Sequence, residues 1–450
     1  MRLPRHTRMF DNSTREPRFQ LSRKIFGLLA ALVLTQFLSG CAYLRIDKYH
    51  PFLRSDRITS VEEESEVLSK AKLSITEDGR IPILFVSGTP YERGYQQGVL
   101  LREQVRDNLL TLYRNALKTF KSELFFEESY ERLRPFIPQE YIDEMHGLAH
   151  GAKLPLYVVH YAHTLPSMSE WGGKKQVKEI LRKMMAGDLG TSCSNFSSLS
   201  SASRDGKLYS VRILDWGLHK ISKLHEYPLI TVNVPDKGIA SANIGWVGFL
   251  GAISGMNEEG ITLGEMGYGS PPNETLNGRP MPFLLRDVMT YSHNLSEVRG
   301  IIETSPPTNS FAFMMSDGKS GEAELYIRDP DRFLVFHAGD DLQDSSSNYP
   351  AIPGITYAGH FDEKLTQNLS AYRGAITPEV LMDKIIPEVV MKSNFQNVVY
   401  DPADLQFWVS YAANRESVAS SGPYTKFSLA EPLKTFREGL RENPDSELAH

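Results

Sequence analysis

The pattern of apolar and polar positions changes character at residue 193. Upstream, "IPILFVSG" at 81–88 is an apolar run short enough to be a strand. "TPYE" comes next, with Thr89 placed as N-cap, Pro90 at N1 and Glu92 at N3. That capping-box spacing predicts a helix running to about Phe120. Gly94 and Gly98 share one face of it and allow close backbone packing. "PQEYIDEMHGLAHGA" and "LPLYVVHYAHTL" add more helix, so residues 81–192 read as a mainly helical segment.

Downstream the pattern is that of strands. "CSNFSSLS" and "KLYSVRILDW" flank "RDGK", whose Asp205-Gly206 pair predicts a tight hairpin. Strand-like runs continue in "YPLITVNVP", "GIASANIGWVGFLGAISGMNEEGITLGEMG", "SFAFMMSD", "AELYIRD", "RFLVFHAG" and "NVVYDPADLQFWVSYA", with a helix in "MPFLLRDVMTY". Many antiparallel strands with helices between them predict an α+β layered domain. There is no βαβ alternation, no glycine-rich phosphate loop and no GxSxG elbow. A chain that is 41% hydrophobic and 10% aromatic can bury a substantial core.

The N-terminus has its own pattern. Residues 1–24 are basic, and "IFGLLAALVLTQF" is an apolar run too short to span a bilayer comfortably, as in a signal peptide. Leu38-Ser39-Gly40-Cys41 looks like a bacterial lipobox, which makes residues 1–40 a lipoprotein signal peptide and Cys41 the lipidated first residue. Ala42, rather than aspartate, implies the inner leaflet of the outer membrane, facing the periplasm. Residues 41–80 are polar, with "SVEEESEVLSKAK" an exposed helix or tether; residues 431–450 read as a C-terminal tail. Removing the signal takes away seven of the 49 Lys/Arg and two of the 55 Asp/Glu, moving the net charge from −6 to −11. The remaining basic clusters are short and interleaved with acids, which argues against a nucleic-acid partner.

Cysteine count now matters. The chain has 2 cysteines, and with Cys41 acylated, Cys193 has no partner. An unpaired exported thiol is a liability unless it is buried or used.

The stretch "CSNFSSLSSASRDGKLYSVRILDW", with "SGMNEEGITLGEMG" and "MPFLLRDVM" after it, resembles the acyl-CoA:6-aminopenicillanic-acid acyltransferase (isopenicillin-N acyltransferase-like) family. These are cysteine N-terminal-nucleophile hydrolases, related to bile-salt hydrolases and penicillin V acylase. "ERGYQQG" and "MHGLAHGAKLPLYVV" are similar to the segment this family carries before its nucleophile. The resemblance implies a four-layer αββα sandwich with two antiparallel sheets, a catalytic domain over 193–430, and no cofactor. It also implies self-cleavage between Ser192 and Cys193, although Ser192 stands where many relatives have glycine. Counting from "GMNEEG" points to the Gly267 backbone as an oxyanion donor, with Glu265 and Asn257 as further oxyanion or substrate candidates. A second donor falls near Ala358 or Gly359, with Asn348 and His360 as looser candidates.

The chemistry asks for the same residues. Amide cleavage by a thiol requires a thiolate, a proton acceptor and donors for the tetrahedral oxyanion. An α-amino group, whose ordinary pKa is about 7.7–8.0, serves as base near neutrality. Arg212 on the partner strand can stabilise a thiolate, and Asp215 can hold the α-ammonium. Their i, i+3 spacing puts them on opposite faces of a regular strand, so a bulge or strand end near Leu214 is required.

Other features carry less. His146 and His150, with His160 and His163 after them, lack the glutamate of HExxH and read as packing or surface histidines, with no metal site. Trp216, Trp246, Phe249 and Tyr268 read as core, with an acyl-pocket wall the alternative. Arg286 and Asp287 read as structural. The function that results is a lipid-anchored amidohydrolase acting on small N-acyl amides through a Cys193 thioester. An acyltransferase and an inactive substrate-binding lipoprotein remain as alternatives, and His219 and His225 as bases if the chain stays uncut. Oligomeric state is open.

Overall fold

The computed structural model describes residues 57–120, 123–169, 193–269, 274–343, 348–359 and 362–442. Cys41, Ser192 and His360 lie outside them, as do residues 1–40. Residues from Ser55 onward form one unit.

Among the described residues, the segment before Cys193 is mainly helical. Its helices are α1 (Val61–Ser69), α2 (Pro90–Leu100), α3 (Arg102–Phe120), α4 (Leu124–Leu133), α5 (Gln139–Gly151) and α6 (Leu156–Ser169). The Thr89–Glu92 capping box forms as its spacing requires. The helix it starts ends at Leu101, whose φ of −121° breaks the chain into two helices where the pattern suggested one. Packing between α2 and α5 is backbone against backbone. A Cβ on Gly94 would overlap the Glu144 carbonyl oxygen, and one on Gly147 would overlap that of Tyr91.

Two sheets carry the rest. The larger has nine strands: β1 (Lys72–Ile75), β2 (Pro82–Gly88), β5 (Pro228–Pro235), β6 (Ser241–Trp246), β7 (Ser254–Asn257), β8 (Ile261–Gly267), β9 (Phe311–Asp317), β10 (Glu322–Arg328) and β11 (Phe333–His337), in that spatial order. The smaller has the order β14 (Ile355–Gly359), β3 (Ser194–Ser200), β4 (Gly206–Asp215), β15 (Asn394–Asp401), β16 (Gln406–Tyr411) and β17 (Thr425–Ser428). A two-stranded pair, β12 (Leu342–Gln343) with β13 (Asn348–Tyr349), stands apart. The sheets pack face to face. Ile83, Phe85, Ile230, Val232, Ala242, Ile244 and Met256 of one meet Val398, Tyr400, Phe407, Val409 and Phe427 of the other. Helices α7 (Met281–Tyr291) and α8 (Leu295–Thr304) lie against the larger sheet, and α9 (Asp362–Tyr372) lies against the smaller.

Several expectations need correction. The larger sheet is not wholly antiparallel, because β2 pairs in parallel with β5. The long crossover between those strands makes the parallel pairing possible. The segment before residue 193 therefore shares a sheet with strands on the other side of it, so residue 193 is not a boundary between folded bodies. Residues 61–75 are more than a tether: Ser60 and Glu63 form a capping box for α1, and β1 adds an edge strand. The tail expected at 431–450 begins as a helix, α10 (Ala430–Glu442), whose Leu433 and Phe436 are buried. Phe436 stacks on Phe85 at 5.0 Å, and Arg437 makes a two-pronged ion pair with Glu258. Finally, β3 and β4 are joined by residues 201–205 rather than by a tight turn. A register shift between Ser198 and Ser200 and a further bond from Gly374 N–H to the Ala202 carbonyl lengthen the connection.

The glycine seam makes a direct prediction. Gly147→Ala should destabilise the protein by about 2–4 kcal/mol, because the added methyl overlaps backbone that cannot move aside. Exposed Gly300 on α8, with nothing within 4 Å of its Cβ position, should gain about 0.5–1 kcal/mol on change to alanine. Thermal melts of the two variants check this, and equal shifts would refute it.

Candidate active site

Cys193 stands immediately before β3 and is 7% exposed. In the antiparallel register Asn195 lies opposite Arg212 and Ser194 opposite Ile213, which puts Cys193 beside Leu214. Residues 193 and 195 share a face, and cross-strand partners share theirs, so the thiol points to the same side as Arg212. The Arg212 charge acts on the thiol and favours its ionised form.

Arg212 is fully buried, and each of its nitrogens is engaged. Nη2 donates to Glu265 Oε1 at 2.7 Å, Nη1 to the Ile213 carbonyl at 2.6 Å, and Nε to the Ile253 carbonyl at 3.4 Å. Glu265 belongs to the facing sheet, so the ion pair crosses the sandwich. Gly264 makes room for it: a Cβ there would collide with Asn195 Oδ1 and lie 3.1 Å from Arg212 Cδ.

Asp215 is the last residue of β4, and the neighbouring strand shifts register between Asn394 and Gln396 at this level. The strand end and the shift are the irregularity that the Arg212–Asp215 spacing demands. Asp215 is fully buried; its carboxylate accepts from Met391 N–H at 3.1 Å and from Asn394 Nδ2 at 2.9 Å.

Burial governs the charges. It pushes the Cys193 thiol up to about 12, against the charge of Arg212, with Glu265 and Asp215 adding to the rise. Burial also raises the Asp215 carboxyl to about 7, opposed by its two hydrogen bonds and by Arg212. Glu265 is raised by the same cause, opposed by Arg212. In the continuous chain the thiol is protonated near neutrality and Asp215 is poised to titrate there.

The remaining candidates separate. Glu265 joins the site. Gly267 sits two residues further on β8, paired with Phe311. Asn257 does not belong there: its Nδ2 donates to the Met289 and Ser292 carbonyls, and its Oδ1 accepts from the Glu259 and Ile261 amides. An amide with all its bonding capacity spent on backbone is a structural clamp. Gly359 pairs with Ser194 beside Cys193, and Ala358 with Asn195, but the Gly359 N–H already donates to the Tyr349 hydroxyl at 2.9 Å. Asn348 lies exposed on β13. His219 is buried against Phe395, donating to the Trp216 carbonyl, and burial pushes its imidazole down to about 4. His150 and His160 meet the hydroxyls of Tyr91 and Tyr130. Tyr268 is core.

Three further residues reach the site without a motif to announce them. Asn195 is fully buried with neither amide atom hydrogen-bonded; its position two residues after Cys193 is the one available signal. Asn394 and Gln396 come from about 200 positions away in the chain, with no local signal. Gln396 accepts from Ser254 Oγ at 2.6 Å and donates to the Ile244 carbonyl, a second polar tie between the sheets.

No protein-family model matches the chain. It is similar to protein dcd1B of Dictyostelium discoideum, 25% identical over 302 residues, 62% of this chain and 55% of that protein. The chain thus spans little more than half of that relative. It is also similar to protein dcd1A of the same organism, 23% identical over 384 residues, 77% of this chain and 81% of that one. Among solved structures, the Caenorhabditis elegans ortholog of N-acylethanolamine-hydrolyzing acid amidase aligns at TM-score 0.36 and 12% identity. That alignment covers 47% of this chain and 93% of that one.

The charges can be tested in two ways. Glu265→Gln removes an anion that raises the thiol, so Cys193 should alkylate at lower pH than in the parent protein; an unchanged alkylation profile would count against the coupling. Asp215 has a native pKa near 7 against an ordinary 3.8, so its stabilising neutral form is full below about 4 and lost as pH rises through 7. In an uncut Cys193→Ala background, Asp215→Asn should therefore gain stability relative to its parent by about 1.4 kcal/mol per pH unit between pH 5 and 7. A pH-independent difference would refute it.

Proposed function

We propose that the chain is a lipid-anchored cysteine amidohydrolase of the N-terminal-nucleophile type, cleaving the C–N bond of small N-acyl amides in the periplasm. The observation that carries this is a buried Cys193 thiol at the start of a strand paired with that of Arg212, a buried guanidinium fixed by Glu265, with a buried carboxyl three residues further along the Arg212 strand. A cation held against a thiol favours the thiolate, and Asp215 supplies the countercharge for an ammonium. In this reading the two facing sheets and the helices against them make the four-layer αββα sandwich.

Maturation comes first. The Cys193 sulfur attacks the Ser192 carbonyl carbon and loses its proton. The tetrahedral intermediate expels the Cys193 nitrogen, which takes up a proton to become the free amine. Water then hydrolyses the resulting thioester, leaving a carboxylate on Ser192 and the thiol on Cys193. In turnover the new α-amine takes the thiol proton, the thiolate attacks the substrate carbonyl, and the proton passes to the departing amine. The α-amine next activates water to release the acid. A freed α-ammonium beside Asp215 offsets the burial cost of its carboxylate, and ionisation of the thiol against Arg212 becomes accessible.

Cys193→Ala should run as one uncut chain on a denaturing gel and release no amine from N-acyl substrates. Cys193→Ser should keep little activity, since an unactivated hydroxyl is the poorer nucleophile. Wild-type protein that is active yet uncut by intact mass would sink the amine mechanism. Cys41→Ser should leave the detergent phase on partitioning; retention there would refute the anchor.

A further inference from the structure

The loop between β6 and β7, residues 247–253, is held on one side from the helical segment that precedes the nucleophile, and on the other by Tyr227, Asn243, Pro282 and Arg286. Three helices each contribute one buried polar side chain. Gln97 of α2 accepts from the Gly248 N–H at 2.8 Å, Asn108 of α3 donates to the Val247 carbonyl at 2.8 Å, and His163 of α6 accepts from the Leu250 N–H at 2.8 Å. None of the three is more than 1% exposed. The His163 roles are set by its partners: Nε2 accepts from Leu250, so Nδ1 carries the proton and donates to the Val159 carbonyl at 2.7 Å. Leu109 of α3 fills the space under Gly248, whose φ of +87° a side chain would not tolerate.

The same loop touches the site at both ends. Its last residue, Ile253, gives its carbonyl to Arg212 Nε. Trp246, just before it, packs on Trp216 and on Phe395, the residues next after Asp215 and Asn394, at centroid distances of 6.1 and 5.7 Å. Phe249 continues this as a column of rings. It stacks on Trp246 at 4.6 Å and on His163 at 5.5 Å, and His163 stacks on Phe283 at 6.0 Å. Trp246 and Phe249 also line a narrow crevice with Thr231, Asn243 and Ser254.

We propose that Gln97, Asn108 and His163 are positioning residues for the reaction. By fixing the 247–253 loop they set where Arg212 and the Trp246 wall stand relative to Cys193, so the segment before the nucleophile forms part of the working site. The proposal rests on the reading of Cys193 as nucleophile. Its physical basis is that a buried backbone group left without its side-chain partner costs free energy, so the loop shifts or loosens where that partner goes.

Two variants of His163 separate its roles. His163→Phe keeps a ring between Phe249 and Phe283 and removes the acceptor; His163→Gln removes the ring and keeps an acceptor near the Nε2 position. His163→Phe should lower kcat/KM about tenfold, the weight of one hydrogen bond, chiefly through KM, and His163→Gln should restore most of it. Hydrogen exchange in 247–252 should accelerate about tenfold in His163→Phe while β5 and β9 stay protected, and the rate of Cys193 alkylation should shift with it. Wild-type exchange and alkylation in His163→Phe would overturn the proposal. Should the parent protein release no amine from any N-acyl substrate, the nucleophile reading fails separately, and exchange and alkylation still decide the positioning.

Discussion

A guanidinium with no access to water must find a partner for every N–H and an anion for its charge, or the fold that buries it is lost. Arg212 is the largest fully buried side chain of the described residues, and its surroundings are built to that requirement. Glu265 comes from the opposite sheet, the Ile253 carbonyl from a loop and the Ile213 carbonyl from its own strand. A side chain at Gly264 would collide with the Asn195 amide and crowd the guanidinium stem. One cation therefore links the two sheets, the end of the β6–β7 loop and the environment of the thiol. Removing Glu265 or Arg212 alone leaves a buried charge uncompensated, a far larger disturbance than the loss of a surface ion pair.

The helical segment is tied to the sheets by the same logic. Glu144 on α5 lies between Arg93 on α2 and Arg286 on α7, and all three side chains are at most 4% exposed. Arg286 also donates to the Leu250 carbonyl and lies over the Tyr141 ring. Together with the parallel pairing of β2 and β5, this makes residues 57–169 a structural part of the larger sheet's outer layer. A break in the chain before Cys193 followed by separation would leave both pieces with buried charges and an unpaired sheet edge, so the pieces have strong reason to remain associated.

The carboxyl and the thiol are held in the opposite balance. Around Cys193 and Asp215 burial outweighs the favourable partners, so both groups prefer their neutral forms in the continuous chain. Asn394 and the Met391 amide give Asp215 two hydrogen bonds without any countercharge at its oxygens. A site arranged this way gains most from a new cation at the start of β3.

How much of this is legible in the sequence depends on the range of the interaction. Capping at Thr89, the helices over 139–151 and 156–169, the strand character after residue 193 and the closeness of Cys193, Arg212 and Asp215 are local, set by turn chemistry, side-chain period and a single hairpin. The demand for an irregularity near Leu214 is likewise a matter of counting residues along one strand. Distant pairings decide the rest. In its local string Glu265 is an oxyanion or substrate neighbour, and only the packing of one sheet on the other makes it the anchor of Arg212. Asn257 looks equally suitable in its own string, yet the tertiary structure spends its amide on the end of α7. Asn394, Gln396 and the clamp of Gln97, Asn108 and His163 have no local signature. A polar residue inside a buried strand or helix does not say which backbone it will satisfy until the fold brings that backbone to it.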